Sequence, residues 1–253
     1  MGALVSSDLV SKLSELLSKV RLRLETTDDG YALGYEKEQH PVTELPLDGI
    51  DADAEAAELL AVAAAFEAAV KYPGDDGDGE TLPTGAASLL PKVERARFAR
   101  AYNAVVNARG DGDDARLFTK PFGAGLIVCY VQDEGWRFRY VVQGRVKGWD
   151  TSPDTVHSIA RSNLYARHEV DYAAKEVAVG DGYDAARAVM TGDVFFDRIG
   201  KDGVPIAMPS RDLLFVGPNI DPAAVRQAYE MAAYPISPEV LAFRSHAVHT
   251  LDV

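Results

Sequence analysis

Apolar residues follow two different periods in the first 72 residues. Five of them recur at helical spacing after a Ser-Ser-Asp segment and predict a helix over 6–20: Leu9, Leu13, Leu16, Leu17 and Val20. Alternation of apolar and polar residues over 21–25 and 31–35, around an Asp-Gly turn, predicts a β-hairpin. An Ala-, Leu- and Glu-rich segment predicts a second helix over 53–71. Residues 1–72 are therefore predicted to form an N-terminal helix-hairpin-helix (α-ββ-α) subdomain.

Residues 73–86, PGDDGDGETLPTGA, contain almost no side chain that a core would bury. This composition predicts a flexible acidic linker between the N-terminal subdomain and a C-terminal α+β subdomain over 87–253. The carboxylates of the linker lack the alternating order, the central Gly and the final Glu of an EF-hand loop. The sequence therefore predicts no calcium site there.

The C-terminal subdomain is predicted to contain a mixed sheet with packed helices, which places the chain in the α+β class. Helices are predicted over 95–106, 152–168 and 185–190 and from Asp221-Pro222 onward. Strands are predicted over 126–132, 136–142, 175–179, 204–208 and 213–216, and 237–248 is read as a last strand or a short capped helical turn. Ser-Pro and Asp-Pro steps open two of the helices, because Ser and Asp accept from free N–H groups and Pro has none to satisfy.

Asn163 falls on the apolar face of the helix predicted over 152–168. Four apolar residues share that face: Val156, Ile159, Ala160 and Leu164. A buried amide needs partners for its donors and its acceptor. We therefore expect Asn163 to bond the backbone of the turn at 180–184 or at 209–212, or alternatively a ligand.

The most informative segment, residues 180–217, contains a polar turn before a short helix and another between two strands. We expect the turns at 180–184 and 209–212 to meet and form the functional surface, because both follow strands that share one core. Asp184 is expected to cap the short helix. Arg211 is expected to pair with Asp181 or Asp184, or these groups bind a ligand. The candidate ligand-binding residues are Asn163, Asp181, Tyr183, Asp184, Arg187, Arg211 and Asp212.

The charge of the chain argues against nucleic-acid and membrane partners. The 253 residues are 47% hydrophobic, enough for a substantial core, and carry a formal net charge of -13. Such a field repels phosphate backbones and anionic lipids, and the short basic group around Arg97 is typical of a solvated helix face. Charged residues interrupt the first 20 residues and the segment 56–70, so we expect neither a secretory signal nor a transmembrane helix.

Cysteine and histidine usage predicts no metal site. Cys129 is the only cysteine, lies in an apolar run and is expected to be buried, which fits a cytoplasmic location. His246 and His249 are predicted to be solvent-exposed. His157 and His168 are placed on the polar side of their helix. Neither a phosphate loop, a GxGxxG turn nor a G-x-S-x-G elbow is present, and the sequence leaves the cofactor unknown.

Several short motifs occur in the order and approximate spacing of a known family. They are LLP at 89–91, the segment 126–142, ARSNL at 160–164, GDGYDAAR at 180–187 and PIAMPSRDLLFV at 205–216. On these motifs the chain resembles a diverged member of the YtpQ-like family of uncharacterised bacterial proteins. The resemblance implies a cytoplasmic bacterial α+β protein and supplies no activity.

Three functional hypotheses follow from the sequence. The first is a non-enzymatic binding or regulatory module for an unknown protein or small molecule. The second is an enzyme that uses Asp181, Asp184 and Asp212 on a small cationic or metal-bound substrate. The third is an acidic inhibitor or immunity-type protein that covers a basic partner through electrostatic steering.

Overall fold

The chain combines α-helices with antiparallel β-sheets, which confirms the predicted α+β class. The structure is a computed structural model. It describes residues 7–18, 22–27, 30–35, 43–45, 56–71, 81–135, 138–168, 170, 176–191 and 203–251.

The described N-terminal residues form two helices and three strands. They are α1 (Ser7–Ser18), β1 (Leu22–Thr27), β2 (Gly30–Tyr35), β3 (Thr43–Leu45) and α2 (Ala56–Lys71). The α1 leucines at positions 9, 13 and 17 are buried, as their spacing predicts. β1 and β2 form the predicted antiparallel hairpin, and β3 adds a third strand that the sequence did not predict.

Most of the predicted linker lies outside the described residues. Its last residues are helical: α3 spans Leu82–Gly85 and leads into a 3₁₀ turn over Ala86–Ser88. These residues precede a strand, β4 (Leu89–Arg95), directly.

The first C-terminal sheet has β6 at its centre. It consists of β4, β5 (Thr119–Gly123), β6 (Leu126–Asp133) and β7 (Phe138–Tyr140), and all pairings are antiparallel. The predicted hairpin of β6 and β7 is confirmed. Cys129 of β6 is fully buried, as expected, and its thiol donates to the carbonyl of Lys92 at 3.6 Å.

β4 and β5 were not predicted as strands, since a proline lies inside each of them. Pro91 pairs with Tyr130, and Pro121 pairs with Ile127. β4 lies at the edge of the sheet, where a missing N–H is tolerated. The position in the sheet, which the local sequence does not reveal, makes Pro91 acceptable.

Helices cover this sheet and connect it to the N-terminal elements. They are α4 (Ala96–Arg109), α5 (Gln143–Gly148) and α6 (Pro153–Arg167). α2 packs along α4, and α6 packs on β4. The hydroxyl of Ser152 accepts a hydrogen bond from the backbone of Thr155 at 3.1 Å, which confirms the predicted cap of α6.

The second C-terminal sheet is built from later strands in the order β12-β11-β9-β10-β8. They are β8 (Glu176–Val177), β9 (Val204–Ser210), β10 (Leu213–Val216), β11 (Val240–Arg244) and β12 (Ala247–Thr250). α7 (Pro222–Met231) packs on β9 and begins at Asp221, whose carboxylate accepts from the Ala223 backbone at 2.9 Å. The single last strand predicted over 237–248 is wrong, because Ser245 and His246 adopt left-handed backbone angles and turn the chain between β11 and β12.

The helices in the described part of the chain are all too short or too polar to cross a lipid bilayer.

Candidate functional site

The two polar turns meet, as the sequence predicts. The backbone N–H of Ala185 donates to the carbonyl of Arg211 at 3.1 Å. A side chain added at Gly182 would come within 3.9 Å of Arg211 and Asp212. The turn that precedes the 3₁₀ helix Ala185–Met190 and the turn between β9 and β10 therefore form one polar junction.

Arg187 is the cation at the centre of this junction. Its side chain is fully buried, and Nη1 donates to Oδ1 of Asp181 and to Oδ1 of Asp184, each at 2.9 Å. Nη2 donates to the other oxygen of Asp181 at 2.8 Å. The prediction that Arg211 pairs with these aspartates is therefore wrong, because Arg187 reaches them from the helix itself.

Asp184 holds the turn and does not cap the following helix. Its backbone is already helical, with φ -59° and ψ -46°, and its carboxylate makes no capping hydrogen bond. It accepts instead from the backbone N–H of Gly180 at 2.8 Å and thereby closes the turn. Burial raises the pKa of Asp184 above its ordinary value, while the bonds from the backbone and from Arg187 oppose that shift. The predicted cap was wrong.

Asp181 is held by several donors at once. Its Oδ1 also accepts from the backbone of Tyr183 at 3.0 Å, and Nε2 of His168 lies 3.4 Å from Oδ2. Burial alone would raise the pKa of Asp181, but the bonds from Arg187 and Tyr183 outweigh it and keep that pKa below its ordinary value. Asp181 therefore stays ionised as an acceptor.

A second set of contacts ties the turn to the end of β6. The hydroxyl of Tyr183 donates to Oδ2 of Asp133 at 3.0 Å, and Nη2 of Arg167 lies 3.0 Å from the same oxygen. The guanidinium of Arg167 also lies over the Tyr183 ring, 4.9 Å from its centre. Asp181, Tyr183, Asp184 and Arg187 thus hydrogen-bond to one another and to their neighbours, as polar groups that fix a turn do.

Arg211 and Asp212 lie beside this network. Nε of Arg211 is 3.9 Å from Oδ1 of Asp212, and the guanidinium lies 3.7 Å from the centre of the Tyr234 ring. The Asp212 side chain is 46% exposed, in contrast to the enclosed carboxylates of Asp181 and Asp184.

Asn163 bonds backbone groups, but in a different loop from the two that were predicted. Its amide donates to the carbonyls of Ala86 and Leu89, the latter at 2.9 Å. Asn163 is partly buried, and it joins α6 to the turn before β4. The helical phase was therefore right and the predicted partner wrong, because 163 and 86–89 come together only when α6 packs on β4.

Replacing Asn163 with Leu is expected to lower the free energy of unfolding by about 1 to 3 kcal/mol, because the carbonyls of Ala86 and Leu89 each lose one donor. Urea denaturation measures the change. Gln227→Leu, at an exposed position of α7, is the control and should stay within about 0.5 kcal/mol of the parent. Equal stability of the two variants would show that the Asn163 bonds contribute nothing.

Lys92 of β4 was not recognised as a candidate, although a lysine within the apolar run LLPKV is itself a signal. The residue is only 5% exposed. Its amine lies 4.5 Å from the centre of the Phe138 ring and 5.7 Å from that of Tyr183. Burial lowers the pKa of Lys92 below its ordinary value.

A cavity of about 260 Å³ lies on another part of the molecule and was also missed. It is bounded by β5, β6, α6, the 3₁₀ helix and the turn between β11 and β12. Its lining residues are Lys120, Pro121, Phe122, Val128, His157, Arg161, Val189 and His246. His157 and Arg161 lie four residues apart on α6, a spacing that places both on one face and that the sequence displays.

His157 is half-buried in this cavity, not on a solvated polar face as predicted. Its Nδ1 lies 2.9 Å from the hydroxyl of Tyr130. Burial lowers the pKa of His157 to about 4, and burial also raises the pKa of Tyr130. At neutral pH the tyrosine therefore keeps its proton and donates it to Nδ1, so that Nε2 of the neutral ring carries N–H. His246 is exposed, as predicted, and lines the cavity, whereas the prediction for His249 was wrong because that residue is half-buried with its Nε2 enclosed.

Within the residues that the structure describes, no group of three or more His, Cys, Asp or Glu side chains is arranged to hold a metal ion. Comparisons of the chain with protein-family models, with curated proteins and with solved structures gave no match.

Proposed function

We propose that the protein is a binding module whose ligand is a small organic anion held in the cavity beside α6. The observation that supports this proposal is the set of residues that line the cavity. Lys120, Arg161, His157 and His246 surround an apolar surface in a chain whose net charge is -13. Basic groups gathered in one concave site of an acidic protein favour an anionic ligand there.

The electrostatics of the cavity support the proposal. Burial is the largest cause that lowers the pKa of His157, and the positive charges of Lys120 and Arg161 are the next largest. These two charges indicate a positive potential at the His157 ring. Asp154 opposes them and lies 3.0 Å from the amine of Lys120 at the solvent-exposed side. A carboxylate or phosphate in the cavity would accept from the guanidinium of Arg161 and from Nε2 of His157.

The apolar part of the lining indicates what else the ligand carries. Phe122, Val128 and Val189 offer hydrocarbon surface to an aliphatic or aromatic group. The volume lies just below the range of sites for drug-sized molecules, about 300 Å³ and more. The ligand class is therefore a small carboxylate or phosphate ester with one apolar group.

The contacts of the carboxylates in the polar junction favour a binding module over an enzyme that uses Asp181, Asp184 and Asp212. The first two hold Arg187 at 2.8 to 2.9 Å and are enclosed, so only Asp212 is open to a substrate. Membership of the YtpQ-like family, a cytoplasmic location and an N-terminal α-ββ-α subdomain over 1–72 are parts of the same proposal, and their support is the sequence pattern.

Replacing Arg161 with Gln is expected to weaken the binding of benzoate at least about tenfold, or about 1.4 kcal/mol, because the charge that faces the carboxylate is lost. Isothermal titration calorimetry with benzoate and phenyl phosphate measures the effect. Arg116→Gln, at an exposed arginine paired with Asp113, is the matched control and should bind as the parent does.

Benzyl alcohol has nearly the shape of benzoate without its charge and should bind more weakly to the parent protein. Equal affinity for the alcohol and the acid, or equal loss in the Arg161 and Arg116 variants, would contradict an anion site in this cavity.

A further inference from the structure

The hydroxyl of Tyr130 contacts His157 from behind the wall of the cavity beside α6. Tyr130 lies on β6, the central strand of its sheet, and its side chain is fully buried. Its ring packs against that of Phe118, with 5.2 Å between the ring centres, and stands at 88° to the His157 ring. The fold therefore fixes the position of the hydroxyl.

The hydrogen bond between Tyr130 and His157 decides which ring nitrogen carries the proton. Within the described part of the chain, the hydroxyl has one hydrogen-bond partner, Nδ1 of His157 at 2.9 Å. A proton on Nδ1 would leave the proton of the buried hydroxyl without an acceptor, which a buried donor tolerates poorly. Nδ1 is therefore the acceptor, and the neutral ring carries its proton on Nε2.

The Nε2–H of His157 is open to a ligand of the cavity. Nε2 lies on the opposite edge of the ring from Nδ1 and makes no hydrogen bond to any residue that the structure describes. Protein atoms do not enclose it, because the ring is half-buried and lines the cavity. A bound molecule can therefore accept a hydrogen bond from it.

The polar side chains that line the cavity from β5 and α6 then offer only hydrogen-bond donors. Lys120 and Arg161 have no acceptor atom when charged, and His157 presents N–H. His246, on the turn between β11 and β12, is exposed and can present either ring nitrogen. A carboxylate or phosphate supplies only acceptors, whereas a carboxamide of the same outline brings N–H groups that would face donors.

We propose that Tyr130 is a positioning residue of this cavity, which fixes the proton of His157 on Nε2 and thereby makes the site select an acid over its carboxamide. Tyr130 acts through His157 and does not itself line the cavity. The selectivity rests on the proposed anion binding, whereas the position of the proton can be measured without any ligand.

The first measurement locates the proton on the His157 ring in the ligand-free protein. NMR correlations between ring nitrogens and ring C–H protons of the intact, ¹⁵N-labelled chain distinguish an N–H nitrogen from a bare one at neutral pH. His157→Gln identifies the His157 signals by their loss. We expect the proton on Nε2 in the parent. Tyr130→Phe should shift the Nδ1 signal and populate the tautomer with the proton on Nδ1, because Nδ1 has lost its donor.

Tyr140→Phe is the matched control. Tyr140 is also buried, but it pairs with Val131, the neighbour of Tyr130 on β6, so its side chain lies on the opposite face of the sheet. This variant should leave the tautomer of His157 unchanged.

The second measurement compares benzoate with benzamide, which has nearly the same shape, by NMR titration of the parent and both tyrosine variants. The parent should prefer benzoate. In Tyr130→Phe this preference should fall by at least about threefold, because a bare Nε2 can accept from the amide and one hydrogen bond contributes on that order. Benzoate carries the same charge in every titration, so a change in preference reports the hydrogen bond. Tyr140→Phe should keep the preference of the parent.

A proton on Nδ1 in the parent, or a His157 ring that Tyr130→Phe leaves unchanged, would overturn the proposal. A preference for benzoate that Tyr130→Phe does not reduce would overturn the role of Tyr130 in selectivity. If neither benzoate nor phenyl phosphate binds the parent, the proposed function fails and the selectivity fails with it, while the ligand-free spectra still decide where His157 holds its proton.

Discussion

Replacing Arg187 with Met is expected to lower the free energy of unfolding by about 3 to 5 kcal/mol. Arg187 donates three hydrogen bonds to Asp181 and Asp184, and its side chain is entirely enclosed. Met fills a similar volume but leaves the enclosed carboxylate of Asp184 without its cation, while Asp181 keeps only its longer contacts with Arg167 and His168. An unpaired buried charge is among the costliest changes a fold can suffer. Urea denaturation followed by circular dichroism measures the loss.

Arg116→Met is the matched control, because Arg116 is 44% exposed and pairs with the exposed Asp113. Its expected effect is below about 1 kcal/mol. Adding Asp184→Asn to Arg187→Met should recover part of the loss, since one unpaired charge is removed. A loss for Arg187→Met no larger than that of the control would show that the network does not stabilise the fold.

Replacing Gly123 with Ala is expected to cost about 2 to 5 kcal/mol, from backbone strain and from a collision that the backbone must relieve. Gly123 ends β5 with φ +97°, and a Cβ there would overlap the carbonyl oxygen of Val248 in β12. The two strands belong to different sheets, so the collision pushes the sheets apart. Thermal or urea denaturation records the loss.

Gly125→Ala is a control two residues away. Gly125 also has a left-handed backbone, with φ +71°, but a Cβ there meets no atom within 4 Å. Only strain remains, about 1 to 2 kcal/mol. Equal losses at both positions would mean that β5 and β12 are not in close contact.

Features encoded over a few residues could be predicted from the sequence. The hairpin of β1 and β2 and the cap of α6 depend on alternation, on an Asp-Gly turn and on a Ser-Pro step, all of which are local. The strand β4 was missed because Pro91 and Lys92 interrupt its apolar pattern. Only the position of β4 at a sheet edge explains why the proline is tolerated there.

The candidate site was predicted in location but not in its contacts. The meeting of the two turns followed from strands that share a core. Asp184 pairs with Arg187 and not with Arg211, because the helix places residues 184 and 187 on one side. The sequence displays this spacing of three residues. The residues that line the cavity beside α6 lie between positions 120 and 246 of the chain. No local sequence pattern shows that residues so far apart in the sequence come together.

The burial of Cys129 determines how the protein can be labelled. Its thiol is fully enclosed opposite Lys92, and burial raises its pKa well above the ordinary value. The thiolate is the form that attacks alkylating reagents, so this single native thiol does not react with maleimides in the folded state. A cysteine introduced at an exposed position such as Lys147 would then carry a fluorophore or spin label at one site without removal of the native residue. Distance measurements with such a label would therefore carry no background signal from Cys129.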